Sequence, residues 1–225
     1  MKRINFVIRL YKKQRLLSPY PPRYWRIIVK THSSLSNHPQ NHWLQSYYYM
    51  RAAVSVIWIT LAVLLGKENP VIGAILLVLY PAWDALANYI DAQKSGGLAL
   101  NPPQKFNLIV SMIVALAIIW ALSISINATI KVFGFWAIFS GVLQLSASLR
   151  RWKTSNGQWA MILSGAQSAL AGIFMFKQAS GDSILDVTTV APYAAFGAFY
   201  FLISAVTLTI KNRRKSNIIA KRQVD

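Results

Sequence analysis

The chain has no cysteine in its 225 residues. A disulfide framework, a thiolate nucleophile and a cysteine-ligated metal or cluster are therefore all excluded. Acidic residues are also scarce, six Asp and Glu against 24 Lys and Arg. No paired carboxylates, Ser-His-Asp set or phosphate-cradling glycine loop stands where a reaction needs one. Neither enzymatic chemistry nor a cofactor is expected. Charge is sparse overall, at 13% of residues, while hydrophobic residues make up 55% and the mean hydropathy is +0.38. That balance fits a polytopic membrane protein better than a soluble domain.

A formal charge of +18 is ordinarily a nucleic-acid signature. Here the basic residues lie between and outside long apolar runs, where membrane topology and anionic headgroups use them. The expected partners are the lipid bilayer, anionic lipid headgroups at the basic segments and, as a candidate, a second copy of the chain. Nucleic acid is not expected.

The clearest unit is FGFWAIFSGVLQLSASL, then RRWKTSNGQ, then WAMILSGAQSALAGIFMFK, from Phe133 to Lys177. Two apolar arms of membrane-crossing length flank a basic turn too short to hold a domain. Similar units lie on either side. The expected fold is all-α, a polytopic membrane protein with six transmembrane helices arranged as three repeated helical hairpins. The spans are placed at about 47–66, 71–90, 106–126, 132–149, 158–176 and 187–210. Aligning the even-numbered spans sets Asp84 near Gly141 and Ser204, a period of roughly sixty residues.

Before the spans, residues 1–46 form a basic, aromatic segment. Residues 2–17 fit either an interfacial amphipathic helix or a disordered basic tail. Arg9, Lys12, Lys13 and Arg15 interrupt any signal-peptide core, so a cleavable signal is not expected. Tyr24, Trp25 and Trp43 read as interfacial anchors. His38 and His42 have metal-site spacing, but Pro39 between them and the lack of a completing ligand favour solvated histidines; no metal is expected. Asp91 to Lys105 reads as a linker and Asn127-Ala128-Thr129 as a turn. Residues 211–225, KNRRKSNIIAKRQVD, read as a basic, disordered tail.

All but three of the 24 basic residues fall on one side of this topology, the exceptions being Lys67, Lys131 and Lys177. The positive-inside rule then places both ends of the chain in the cytoplasm. Close helix packing is expected from small residues at helical spacing. These are Gly134, Ala137, Gly141 and Ser148 in the fourth span, Gly165, Ala169 and Gly172 in the fifth, and Ala191, Ala195, Ala198 and Ala205 in the sixth.

Asp84 is the one acidic or basic residue placed inside a span, Arg51 being read as an interface marker. A carboxylate at a helix centre costs about 2.5–3.5 kcal/mol, so it must be protonated, paired or near water. Matching depths bring Asp84, Asn88, Gln144 and Gln167 together as a polar intramembrane cluster, either a hydrated proton site or glue between helices. No buried basic partner for Asp84 is expected.

Residues Gly134, Trp136, Gly141, Arg150, Trp159, Ser164, Gly165 and Gly172 carry a resemblance to the HdeD family of acid-resistance membrane proteins. In that family a Gly-rich helix, a basic turn, a Trp and a second Gly-containing helix recur in a six-span protein. The resemblance is best over 133–214 and looser over 51–126. It implies a bacterial cytoplasmic (inner) membrane location and a part in acid or envelope stress tolerance, with no catalytic residues to carry over. Two other functions remain open: a small transporter or channel subunit built around Asp84, and a scaffold recruiting a partner through the basic N-terminal segment.

Overall fold

The computed structural model describes residues 43–151, 158–182 and 184–224; within these, the side chains at 144, 146–148, 150–151, 158–161 and 215–224 are not described. The expectations for residues 1–42, including those for the histidines, lie outside the described residues. The rest is helical: α1 (Trp43–Gly66), α2 (Pro70–Lys94), α3 (Pro102–Leu122), α4 (Ile126–Arg151), α5 (Gln158–Gln178) and α6 (Ala191–Val224). A 3-10 turn, Val187–Val190, leads into α6. No strand occurs among the described residues.

Among the described residues, five stretches are long and apolar enough to cross a membrane: Trp43–Gly66, Pro70–Lys94, Pro102–Leu122, Ile126–Leu143 and Val187–Arg214. This is compatible with a multi-pass membrane protein. The expected fifth span corresponds to α5, whose first four side chains lie outside the described residues.

Helix ends follow local chemistry, and several differ from expectation. Asn69 caps α2, its side chain accepting from the Val71 and Ile72 amides at 3.0 and 3.2 Å, with Pro70 at the first position where its missing N–H is harmless. The expected 91–105 linker shrinks to 95–101, because α2 runs to Lys94 and α3 starts at Pro102. Gly96 and Gly97 have φ of 102° and 94°, and the Gly97 amide returns to the Ala92 carbonyl at 2.7 Å, the closing bond of a Schellman motif. Asn101 completes the join, its side-chain amide donating to Ser95 O and Gly97 O at 3.0 and 2.9 Å.

Asn127-Ala128-Thr129 is not a turn. Ser125 caps α4, its hydroxyl accepting from the Ala128 amide at 3.0 Å, which draws these three residues into the helix. At the other end of the chain the tail expected to be disordered continues α6 to Val224. No proline or glycine lies between Lys211 and Asp225 to stop it.

The middle of the bundle is aromatic. Tyr80 of α2 has its ring 4.9 Å from Trp58 of α1 and 6.2 Å each from Phe133 and Trp136 of α4 and Tyr193 of α6. Trp58 donates its indole N–H to the Leu76 carbonyl at 2.8 Å. One residue on, Leu77 O lacks its usual helical donor, because residue 81 is proline.

Small residues set the closest approach, between α4 and α5. A Cβ on Gly134 would stand 2.8 Å from Gly172 O, and one on Gly141 would stand 2.5 Å from both Gly165 O and Ala169 N. Between the two contacts one residue number rises by seven while the other falls by seven, the register of an antiparallel pair. Ser168 adds a hydrogen bond to Ala137 O at 2.9 Å. Without a hydrophobic drive in lipid, such backbone proximity and interhelical hydrogen bonding are what hold a hairpin together.

Candidate functional site

Asp84 lies on α2 ten residues before its C-terminal Lys94, about 15 Å along the axis. The carboxylate is ion-paired with Arg51 on α1, and the two side chains are 18% and 12% exposed. The expectation that Asp84 has no buried basic partner is thus overturned. Arg51, although near the start of α1, turns into the bundle instead of marking its interface. The side chain is held there by two further residues: it donates to Tyr47 Oη at 3.2 Å, and its guanidinium carbon lies 4.5 Å from the centre of the Phe201 ring of α6 and 5.8 Å from that of Tyr47. Both ring placements are cation–π geometries.

The other carboxylate oxygen is occupied as well. Oδ2 of Asp84 accepts from Ser111 Oγ of α3 at 2.8 Å and from Asn88 Nδ2 at 3.1 Å, and Asn88 also donates to the Asp84 carbonyl at 2.8 Å. A partly buried carboxylate with a cation on one oxygen and two donors on the other is stabilised in its charged form.

Two helical turns along α2, a second rung repeats the plan. Asp91 accepts from the Trp43 indole N–H of α1 at 3.2 Å and from Gln104 Nε2 of α3 at 3.1 Å. Lys94 Nζ lies 5.6 Å from the centre of the Trp43 ring. The α2–α3 register is regular: Asp84 meets Ser111 and Asp91 meets Gln104, seven residues up on one helix and seven down on the other. Helix α1 therefore joins the α2–α3 hairpin through two acids a heptad apart. It also meets α6 through polar ends, with Tyr49 Oη and Thr209 Oγ1 3.1 Å apart and Asn212 Nδ2 donating to Gln45 Oε1 at 3.0 Å.

Of the four residues expected to cluster, Asp84 and Asn88 are together. Gln167 instead accepts from Tyr200 Oη of α6 at 2.6 Å, because α5 packs on α4 and faces α6. The side chain of Gln144 is outside the described residues. Sequence reasoning missed Ser111, Asp91, Gln104 and the inward turn of Arg51. One signal was present, since 84, 88 and 91 share a helix face at i, i+4 and i+7.

Compared with known proteins, no curated protein and no solved structure matches the chain. Residues 109–177, under a third of the chain, match the family described as a short repeat of unknown function, DUF308. The match starts within α3 and ends at Lys177, so it takes in Ser111 and the glycine-packed α4–α5 pair but for the last residue of α5, while Gln104, α1, α2 and α6 lie outside.

Proposed function

We propose that this is a non-enzymatic, multi-pass protein of the bacterial cytoplasmic membrane, of the HdeD-like kind, serving acid or envelope stress tolerance as a locked helical bundle. Six crossings, with α5 as the fifth, place both ends of the chain on one side, and the distribution of Lys and Arg favours the cytoplasm as that side. The repeat matched over 109–177 supports the family reading, together with the Gly and Trp pattern around it.

The observation that carries the bundle role is that both carboxylate oxygens of Asp84 have partners within the bundle. Oδ1 is held by Arg51, and Oδ2 by Ser111 and Asn88. A carboxylate that shuttles protons needs an oxygen open to water or to a relay. This one ties three helices together instead.

The test is survival and internal pH of a deletion strain under acid challenge, complemented by wild type, by Asp84→Asn and by the apolar pair Arg51→Met with Asp84→Leu. Wild type is expected to rescue, and so is the apolar pair, because packing replaces the lock. Failure of an apolar pair that accumulates normally would transfer the role to the carboxylate and favour transport. Absence of any acid phenotype would sink the stress reading. Reporter fusions at residues 67–69 and 95–101 separately check the orientation.

A further inference from the structure

Where α5 stops and the 3-10 turn leads into α6, residues of all three line a groove of about 600 Å³. On α5 the groove extends from Gln167 to Gln178, about 16 Å at the helical rise. Apolar and aromatic groups form its walls, among them Leu170, Phe174, Tyr193 and Phe196, and the small Ala171 lies in its α5 wall. The mouth is polar and holds Gln178, Asp186 and Thr189. Ile184, also in the lining, is 100% exposed.

Among the described residues, Asp186 is the one charged residue lining the groove. Its Oδ1 caps the 3-10 turn, accepting from the amide and hydroxyl of Thr188, and among the described residues nothing donates to Oδ2. Nor does any described residue hydrogen-bond the side-chain amide of Gln178 or the hydroxyl of Thr189. The mouth thus offers one anionic acceptor beside two neutral donors, at the end of a long apolar slot.

We propose that this groove is a binding site for a zwitterionic phospholipid with a primary ammonium head. One acyl chain fills the slot, the ammonium pairs with Asp186 Oδ2, and the phosphate accepts from Gln178 and Thr189. Charge complementarity selects this lipid: a purely anionic headgroup meets the Asp186 carboxylate with repulsion, and a quaternary ammonium has no N–H to donate. The site requires that α5 and α6 face lipid, and so rests on the membrane-spanning reading, which the reporter fusions test independently.

The experiment is native mass spectrometry of the purified full chain, exchanged in detergent against phosphatidylethanolamine, phosphatidylcholine or phosphatidylglycerol of equal chain length. Phosphatidylethanolamine is expected to be retained about tenfold better than the other two, the scale of one charge-assisted hydrogen bond. Asp186→Asn keeps the capping oxygen and removes the charge, and should abolish that preference. Ala171→Phe fills the slot and should lower retention of all three. Equal retention of the three lipids by wild type, or a preference unchanged in Asp186→Asn, would overturn the headgroup assignment. Unchanged retention in a folded Ala171→Phe would overturn the groove itself.

Discussion

The guanidinium of Arg51 and the carboxylate of Asp84, 33 residues apart in the chain, form an ion pair that fixes α1 to α2. Ser111 and Phe201 bring α3 and α6 to the same point. Four helices thus converge on one pair of charges.

Removing either partner alone leaves an uncompensated charge in a site of low dielectric. Asp84→Ala and Arg51→Ala should each destabilise the protein by about 3–5 kcal/mol, while Arg51→Met with Asp84→Leu should recover most of that loss. Reversible unfolding in mixed micelles of the single and double variants measures the coupling; additive losses would mean the pair is not linked.

The second rung is weaker because it is neutral on the donor side. Asp91→Ala strands the Trp43 indole and the Gln104 amide, a cost of about 1–3 kcal/mol. Its effect should add to that of Asp84→Ala to within about 0.5 kcal/mol, since two helical turns separate the rungs. The same unfolding series supplies the number.

Backbone contact between α4 and α5 leaves no room for a side chain at Gly141. Gly141→Ala should cost about 1–3 kcal/mol through overpacking, and Gly141→Leu more. Gly181→Ala is the control, because a Cβ there meets nothing nearer than 3.8 Å. Comparable thermal stability of the two alanine variants would contradict the close approach.

The natural absence of cysteine makes crosslinking free of background. Cysteines placed at 137 and 168, where Ser168 Oγ bonds the Ala137 carbonyl, should form a disulfide under mild oxidation and hold the α4–α5 hairpin shut. A pair at 137 and 163, with Leu163 exposed on α5, should not. Electrophoretic mobility after cleavage of the 152–157 connection reads the outcome.

Much of this protein was legible from the chain alone. Apolar length, the clustering of Lys and Arg between the runs, and the Gly spacing of residues 134, 141, 165 and 172 follow from local rules of length, charge and period. Even the Gly96-Gly97 stop was visible, because only glycine takes positive φ without strain. Helix ends were less so: Ser125 and Asn101 settle theirs through side-chain hydrogen bonds, and no periodicity reports those bonds.

What only the tertiary structure decided is which polar groups meet. Depth arguments place Asp84, Gln144 and Gln167 at one level, but a level is a plane, and partners within it depend on which helices are neighbours and how each is rotated. Helix α1 packs against α2, bringing Arg51 to Asp84, while α5 faces α6, sending Gln167 to Tyr200. A single cation four residues inside a predicted span looks the same in sequence whether it turns toward headgroups or toward the bundle. The rotation of α1, set by Tyr47, Trp58 and the Phe201 ring, makes that choice.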